Sequence, residues 1–66
     1  MSQYEYTTAS ARHWDAQRGF NELETEDGRI FLNALSLARN GYIPRPWDTV
    51  VVAIRAGHAF VLGAKA

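Results

Sequence analysis

Asp27-Gly28 is a strong short-range signal for a hairpin. A two-residue type I′ turn needs positive φ at both central residues, and Asp followed by Gly meets that need at little cost. Before the turn, Phe20, Glu22 and Glu24 alternate with Asn21, Leu23 and Thr25; after it, Ile30-Phe31-Leu32-Asn33 reads as a second strand. A hairpin is expected, with Leu23, Ile30 and Leu32 inward and Phe31 and Asn33 outward by the period of two. Two aromatics, Phe20 and Phe31, then sit beside a row of acids. What that face binds decides the function.

The rest of the chain reads as short strands. Tyr4 and Tyr6, two apart among threonines, favour a strand, with a frayed terminus over residues 1–8 as the alternative. A first strand falls between Tyr6 and Trp14, and Asp15-Ala16-Gln17 is a polar connector. The second strand is expected over Arg18 to Thr25 and the third over Arg29 to Asn33. Ala34 to Arg39 carries good helix formers but is long enough for only one or two turns, which Asn40-Gly41 ends. Pro44 and Pro46 make residues 42–48 a loop. Thr49 to Arg55 is dense in β-branched residues and reads as the clearest strand. Ala56-Gly57 makes a tight turn, His58 to Leu62 a last strand, and Gly63 to Ala66 a tail. The expected class is all-β: a small five-stranded barrel with one short helical turn after strand three, whose closure removes exposed edges.

Sixty-six residues make one domain, 1–66, and a chain this short buries only about 60% of its unfolded surface, so each large apolar side chain counts. No cysteine is present, which removes disulfides and thiolate zinc sites and fits a cytoplasmic setting. The start, Met1-Ser2-Gln3, lacks the basic and apolar regions of a secretory signal, and the longest apolar run, Val50 to Ile54, is far too short to span a bilayer, so no membrane association is expected. Seven basic residues balance seven acidic ones, so composition alone gives no argument for nucleic acid. Six of the seven cations are arginines, which suit bidentate phosphate contacts and base stacking. Glu22, Glu24, Glu26 and Asp27 form a local negative patch that repels phosphate.

With the elements in place, the chain resembles the bacterial cold-shock domain, an OB-fold barrel. That family carries a Trp, a short connector and a K-G-F-G-F-I type motif; Trp14-Asp15-Ala16-Gln17-Arg18-Gly19-Phe20 matches its first part. An acidic-glycine turn and a V-F-V-H motif follow in the family; here Glu26-Asp27-Gly28 precedes Ile30-Phe31-Leu32-Asn33. Ser36-Leu37, Gly41 and Trp47-Asp48-Thr49-Val50 fall where the family has S-A-L, a Gly and G-D-x-V. The resemblance runs from Ala11 to about Ala64.

It implies an aromatic barrel face that stacks the bases of single-stranded DNA or RNA, at about 1–3 kcal/mol per base with little sequence preference. Trp14, Phe20 and Phe31 match three stacking platforms, and Arg18 keeps the charge of the family's Lys. The second strand-two aromatic is Glu22 here, the strand-three histidine is Asn33, and the aromatic after it is Ala34. Tyr42, in a loop that reaches the ligand face of the family, is a substitute platform. Arg12, Arg18, Arg29 and Arg39 are candidate phosphate contacts, and His58 beside the last turn is a minor one. Binding that is weak, of low specificity and regulatory for transcription or translation is the first reading. The second is a barrel that docks on a basic or apolar protein surface of the transcription or translation machinery; zero net charge and the acidic hairpin favour it. Trp47 either plugs the barrel end or stands out as a partner anchor. The chain is expected to be a monomer or weak dimer.

Catalysis is not expected. Glu22 and Glu24, two apart, lack a third ligand or a nucleophile with its base, and His13 and His58 lack metal-type partners at useful spacing, so neither a metal nor a cofactor is expected.

Overall fold

The computed structural model describes residues 3–15, 17–18 and 20–65, with Phe20 described through its backbone. These residues are all-β: β1 (Glu5–Asp15), β2 (Phe20–Thr25), β3 (Ile30–Leu32), β4 (Leu35–Ser36), β5 (Thr49–Arg55) and β6 (His58–Ala64). They form one curled sheet in the order β3-β2-β1-β5-β6-β4. The long first strand organises it. Glu5 to Ser10 pairs antiparallel with β5, while Ala9 to Asp15 pairs antiparallel with β2, so β1 is shared by two halves of the sheet.

Six strands replace the expected five, and no helical turn follows strand three among the described residues. Leu35 and Ser36 instead pair in parallel with Phe60 and Val61. Helix propensity over residues 34–39 is worth a few tenths of a kcal/mol per residue, and a segment too short to nucleate a helix goes where tertiary pairing takes it. Asn33, at φ 59°, breaks the chain between β3 and β4; Asn tolerates the left-handed region better than most residues. Because β3 and β4 close the two ends of the sheet order and lie two residues apart, the sheet curls back on itself. The terminus is not frayed over all of residues 1–8: Glu5 to Thr8 pair with β5. Gly63 and Ala64 belong to β6 rather than to a tail.

The hairpin is present, but its turn is one residue longer than expected. The Gly28 N–H donates to the Thr25 carbonyl at 3.0 Å, and the Thr25 N–H donates to the Arg29 carbonyl at 2.9 Å. Glu26, Asp27 and Gly28 therefore make a three-residue connection in which Gly28 alone has positive φ, at 87°. This is a type I turn closed by a glycine bulge, and Thr25 Oγ1 fastens it by donating to Asp27 and accepting from the Arg29 N–H at 3.0 Å.

The extra turn residue shifts the register by one. Glu22 faces Leu32, Leu23 faces Phe31 and Glu24 faces Ile30. A one-residue slip sends every side chain of a strand to the other face. Ile30 and Leu32 therefore lie outside, the latter 64% exposed, and Phe31 packs inward against the core, the reverse of the expected order. The two-residue turn with positive φ at both positions occurs at Ala56 (φ 51°) and Gly57 (φ 78°), joining β5 to β6.

The core is made of small side chains: Ala9, Ala11, Ala34 and Ala59 surround Leu23, Val50, Val52, Ile54 and Val61. Trp14, Phe31 and Tyr42 pack against its rim. Each aromatic contributes apolar area on one side and keeps part of its ring outside. No helix among the described residues is long and apolar enough to cross a membrane.

Candidate functional site

The site is built on the C-terminal half of β1. A bulge lies between Ala11 and His13, so Arg12 is an extra residue opposite β2. Ala9 and Ala11 face the core, and strict alternation would carry Trp14 to the outer face. The bulge changes the parity. Trp14 pairs with Asn21 and packs half-buried on the core side, while His13 pairs with Glu22 outside. Arg12 swings over the outer face, with its guanidinium 3.3 Å from Glu22 and 3.6 Å from Glu24. The acids expected to repel phosphate are thus partly neutralised by Arg12, and Arg12 is in turn committed to them.

Asn21 holds the end of the sheet together. Its side-chain Nδ2 donates to the Ala34 carbonyl at 3.0 Å, its Oδ1 accepts from the Asp15 N–H at 3.0 Å, and its backbone carbonyl accepts from the Ala34 N–H at 3.2 Å. One buried amide thereby ties the end of β1 to the break between β3 and β4. Sequence reasoning passed over this residue. The available signal was parity: Asn21 shares a strand face with Leu23, where a polar side chain must find partners.

Trp14 stands between two open grooves. One is lined by His13, Trp14, Asp15, Arg18 and Pro46, the other by Trp14, Asn21, Asn33, Leu35 and Ile43 among others. Arg18, in the β1–β2 connection, is 85% exposed and sits 3.6 Å from Asp15, in an exposed pair that contributes little to stability. Trp14, Arg18 and Asn33 are therefore grouped at one end of the sheet. The backbone of Phe20 pairs with Asp15 at that end, and its side chain lies outside the described part of the structure.

Four other expected contacts are placed differently. Arg29 is engaged: its guanidinium holds both Glu5 oxygens and both Asp27 oxygens, which raises its own pKa. The bond from Arg29 holds the Glu5 carboxyl below its ordinary pKa; at Asp27 the bond from Thr25, then that from Arg29, does the same. Phe31 faces the core, with the Arg29 guanidinium 5.9 Å from its ring. His58 pairs with Arg55 beside the β5–β6 turn, next to the Glu5 end of β1 and so at the opposite end from Trp14. Tyr42 is half-buried, and its hydroxyl donates to Asp48 Oδ2 at 2.8 Å. Burial, and then that bond to a carboxylate, push the Tyr42 hydroxyl pKa up. Tyr42 acts as a clamp on the 42–48 loop.

Asp48 is the other half of that clamp. It also accepts from the Arg45 N–H at 3.0 Å, and this bond, followed by the one from Tyr42, lowers its pKa. The clamp fixes a turn in which the Asp48 N–H donates to the Arg45 carbonyl at 3.0 Å. Proline at its second position suits such a turn; the third position, Trp47, has φ 69°. Two more backbone bonds dock the turn on the β1 bulge: Trp47 N–H to the Ala11 carbonyl at 2.6 Å, and Ala11 N–H to the Asp48 carbonyl at 2.9 Å. Trp47 is 68% exposed, so it does not plug the barrel end.

No group of three or more His, Asp or Glu side chains among the described residues is arranged to hold a metal ion. No protein-family model matches this chain, and comparison with curated proteins and with solved structures finds no match either.

Proposed function

We propose that the protein is a cold-shock-like OB barrel that binds single-stranded DNA or RNA weakly and without catalysis, at the sheet end formed by Trp14, Arg18 and Asn33. The groove between Trp14, His13 and Arg18 carries this reading. It joins an indole with an open edge to a guanidinium that is almost wholly in water, the pairing that base stacking and phosphate contact require. Topology supports it. With β3 and β4 taken as one strand broken at Asn33-Ala34, the neighbours run β1-β2-β3/β4-β6-β5 and return to β1, as in a five-stranded barrel. OB-folds take oligonucleotides on the strand two–three face and on the loops between strands one and two and between strands four and five; Arg18 lies on the first of these loops.

Few platforms and few uncommitted cations make the interaction weak. Titrating fluorescein-labelled oligo-dT should quench tryptophan fluorescence with a Kd on the order of 100 µM at low salt. One or two phosphate contacts on a single strand should lower affinity about five- to twenty-five-fold for each tenfold rise in salt. Absence of binding at millimolar protein in low salt would sink the proposal.

One observation favours the protein-docking alternative. Ile30 and Leu32 expose an apolar strip on the outer face of β3, beside Glu22 and Glu24. A partner with apolar and basic groups would fit it, and oligonucleotide binding would then be absent while the strip remained essential for association.

A further inference from the structure

Trp47 is held in a conformation its side chain disfavours and is given little burial in return. A φ of 69° belongs to the left-handed region, where glycine is at ease and a bulky side chain is an outlier. The backbone here keeps the geometry of a glycine while carrying an indole. It is over-determined by its surroundings: the two bonds to Ala11, the Asp48-to-Arg45 turn bond, and the Asp48 carboxylate fixed by Arg45 and Tyr42. Core packing does not explain the tryptophan, because the residue is 68% exposed. Backbone strain that the fold enforces without a packing return is a marker of a functional position.

The surroundings of the ring are specific. The Arg12 guanidinium lies 6.0 Å from the ring centroid, close enough to orient the indole. Arg45, two residues away, is 85% exposed, with Asp48 at 3.7 Å. Pro46, next to Trp47, lines the same groove as Trp14 and Arg18. The docking bonds to Ala11 put the indole beside the bulge that sets the position of Trp14. Trp47 thus stands on the Arg12 side of the bulge and Trp14 on its core side, with Pro46 reaching the groove that Trp14 and Arg18 line.

We infer that Trp47 is a second base-stacking platform, taking a further nucleobase of the strand held at Trp14, with the exposed Arg45 beside it for a phosphate. The inference rests on the proposed nucleic-acid reading and extends it to the turn before β5. In this chain the turn before β5 compensates for platforms that Glu22, Asn33 and Ala34 do not supply.

The test compares wild type, Trp47→Gly and Trp47→Leu against labelled oligo-dT of three, six and nine nucleotides at low salt, with a thermal melt of each protein. Wild-type affinity should rise from three to six nucleotides, and Trp47→Gly should lose that gain, binding the longer strands about tenfold more weakly. Its melting temperature should hold or rise, because glycine is native to this φ. A structural tryptophan would give the opposite pair, a lower melt with unchanged binding. Trp47→Leu keeps an apolar side chain but no π face, and should also lose the length-dependent gain. Wild-type binding with no difference for Trp47→Gly would overturn the Trp47 subsite alone. Failure of wild type to bind any of the strands would overturn both the subsite and the nucleic-acid reading.

Discussion

Leu23→Ala is expected to leave a large fraction of the protein unfolded at 25 °C. Among the described residues, the largest fully buried side chains are Leu23, Val50, Val52 and Val61, and Leu23 is the one that is not a valine. Its neighbours in the core include four alanines, whose side chains cannot rearrange to fill a void. Leu→Ala in such a site costs about 2–5 kcal/mol, the transfer of the lost atoms plus the cavity left behind. A single core in a chain below about 70 residues supplies about 3–5 kcal/mol in total, and a sequence without cysteine has no disulfide to add to it. The two figures are of the same size, so the substitution removes most or all of the stability. Urea unfolding followed by circular dichroism reads the change. A loss below about 1 kcal/mol would mean that Leu23 is not the centre of this core.

The second large effect distinguishes two neighbouring residues. Phe31→Ala should cost about 2–3 kcal/mol, less than for a fully buried Phe because the ring is only half-covered. Leu32→Ala should change stability by no more than about 0.5 kcal/mol, because that side chain lies 64% exposed on the outer face. The alternation read from the sequence gives the reverse order, with Leu32 costly and Phe31 nearly silent. Melts of the two variants under one set of conditions decide the register of β3, and a costly Leu32 beside a silent Phe31 would contradict it.

The gap between those two orders shows what was legible. Alternation on β2 was readable from Phe20 to Thr25, and it placed Leu23 correctly. Asp27-Gly28 correctly marked a turn. What the letters did not carry was whether the loop takes two residues or three. That depends on Thr25, whose hydroxyl closes the three-residue form by bridging Asp27 and the Arg29 N–H. One residue of loop length then inverted a whole strand, because the side-chain period is two. Trp14 was displaced by the same arithmetic: one bulge residue, Arg12, moved it to the core side. Neither shift changes local propensity, so neither leaves a trace in composition or pattern.

The candidate site was legible in part. Trp14, Arg18 and Asn33 do meet at one end of the sheet. Arg29 and Phe31 are accounted for by ion pairs and core contact, and His58 belongs to the opposite end. These are tertiary facts: Glu5 reaches Arg29 because the two ends of a long strand and a hairpin coincide in space, at a sequence separation no local pattern reports. The Pro-rich loop yielded least from sequence, since its geometry is fixed by Asp48 and by docking on Ala11. Trp47 gained meaning only when its φ and exposure were known together.

A single strand docking at the Trp14 end of the curled sheet, as proposed, would perturb a defined set of resonances. An amide and indole chemical-shift map of the labelled protein with oligo-dT at low salt tests this docking. Saturable shifts are expected at the Trp14 and Trp47 indoles, at the amides of His13, Asp15 and Arg18, and at Asn33, with His58 and the Arg29 region unmoved. Shifts centred on Ile30, Leu32 and the β5–β6 turn, or none at millimolar oligonucleotide, would contradict it.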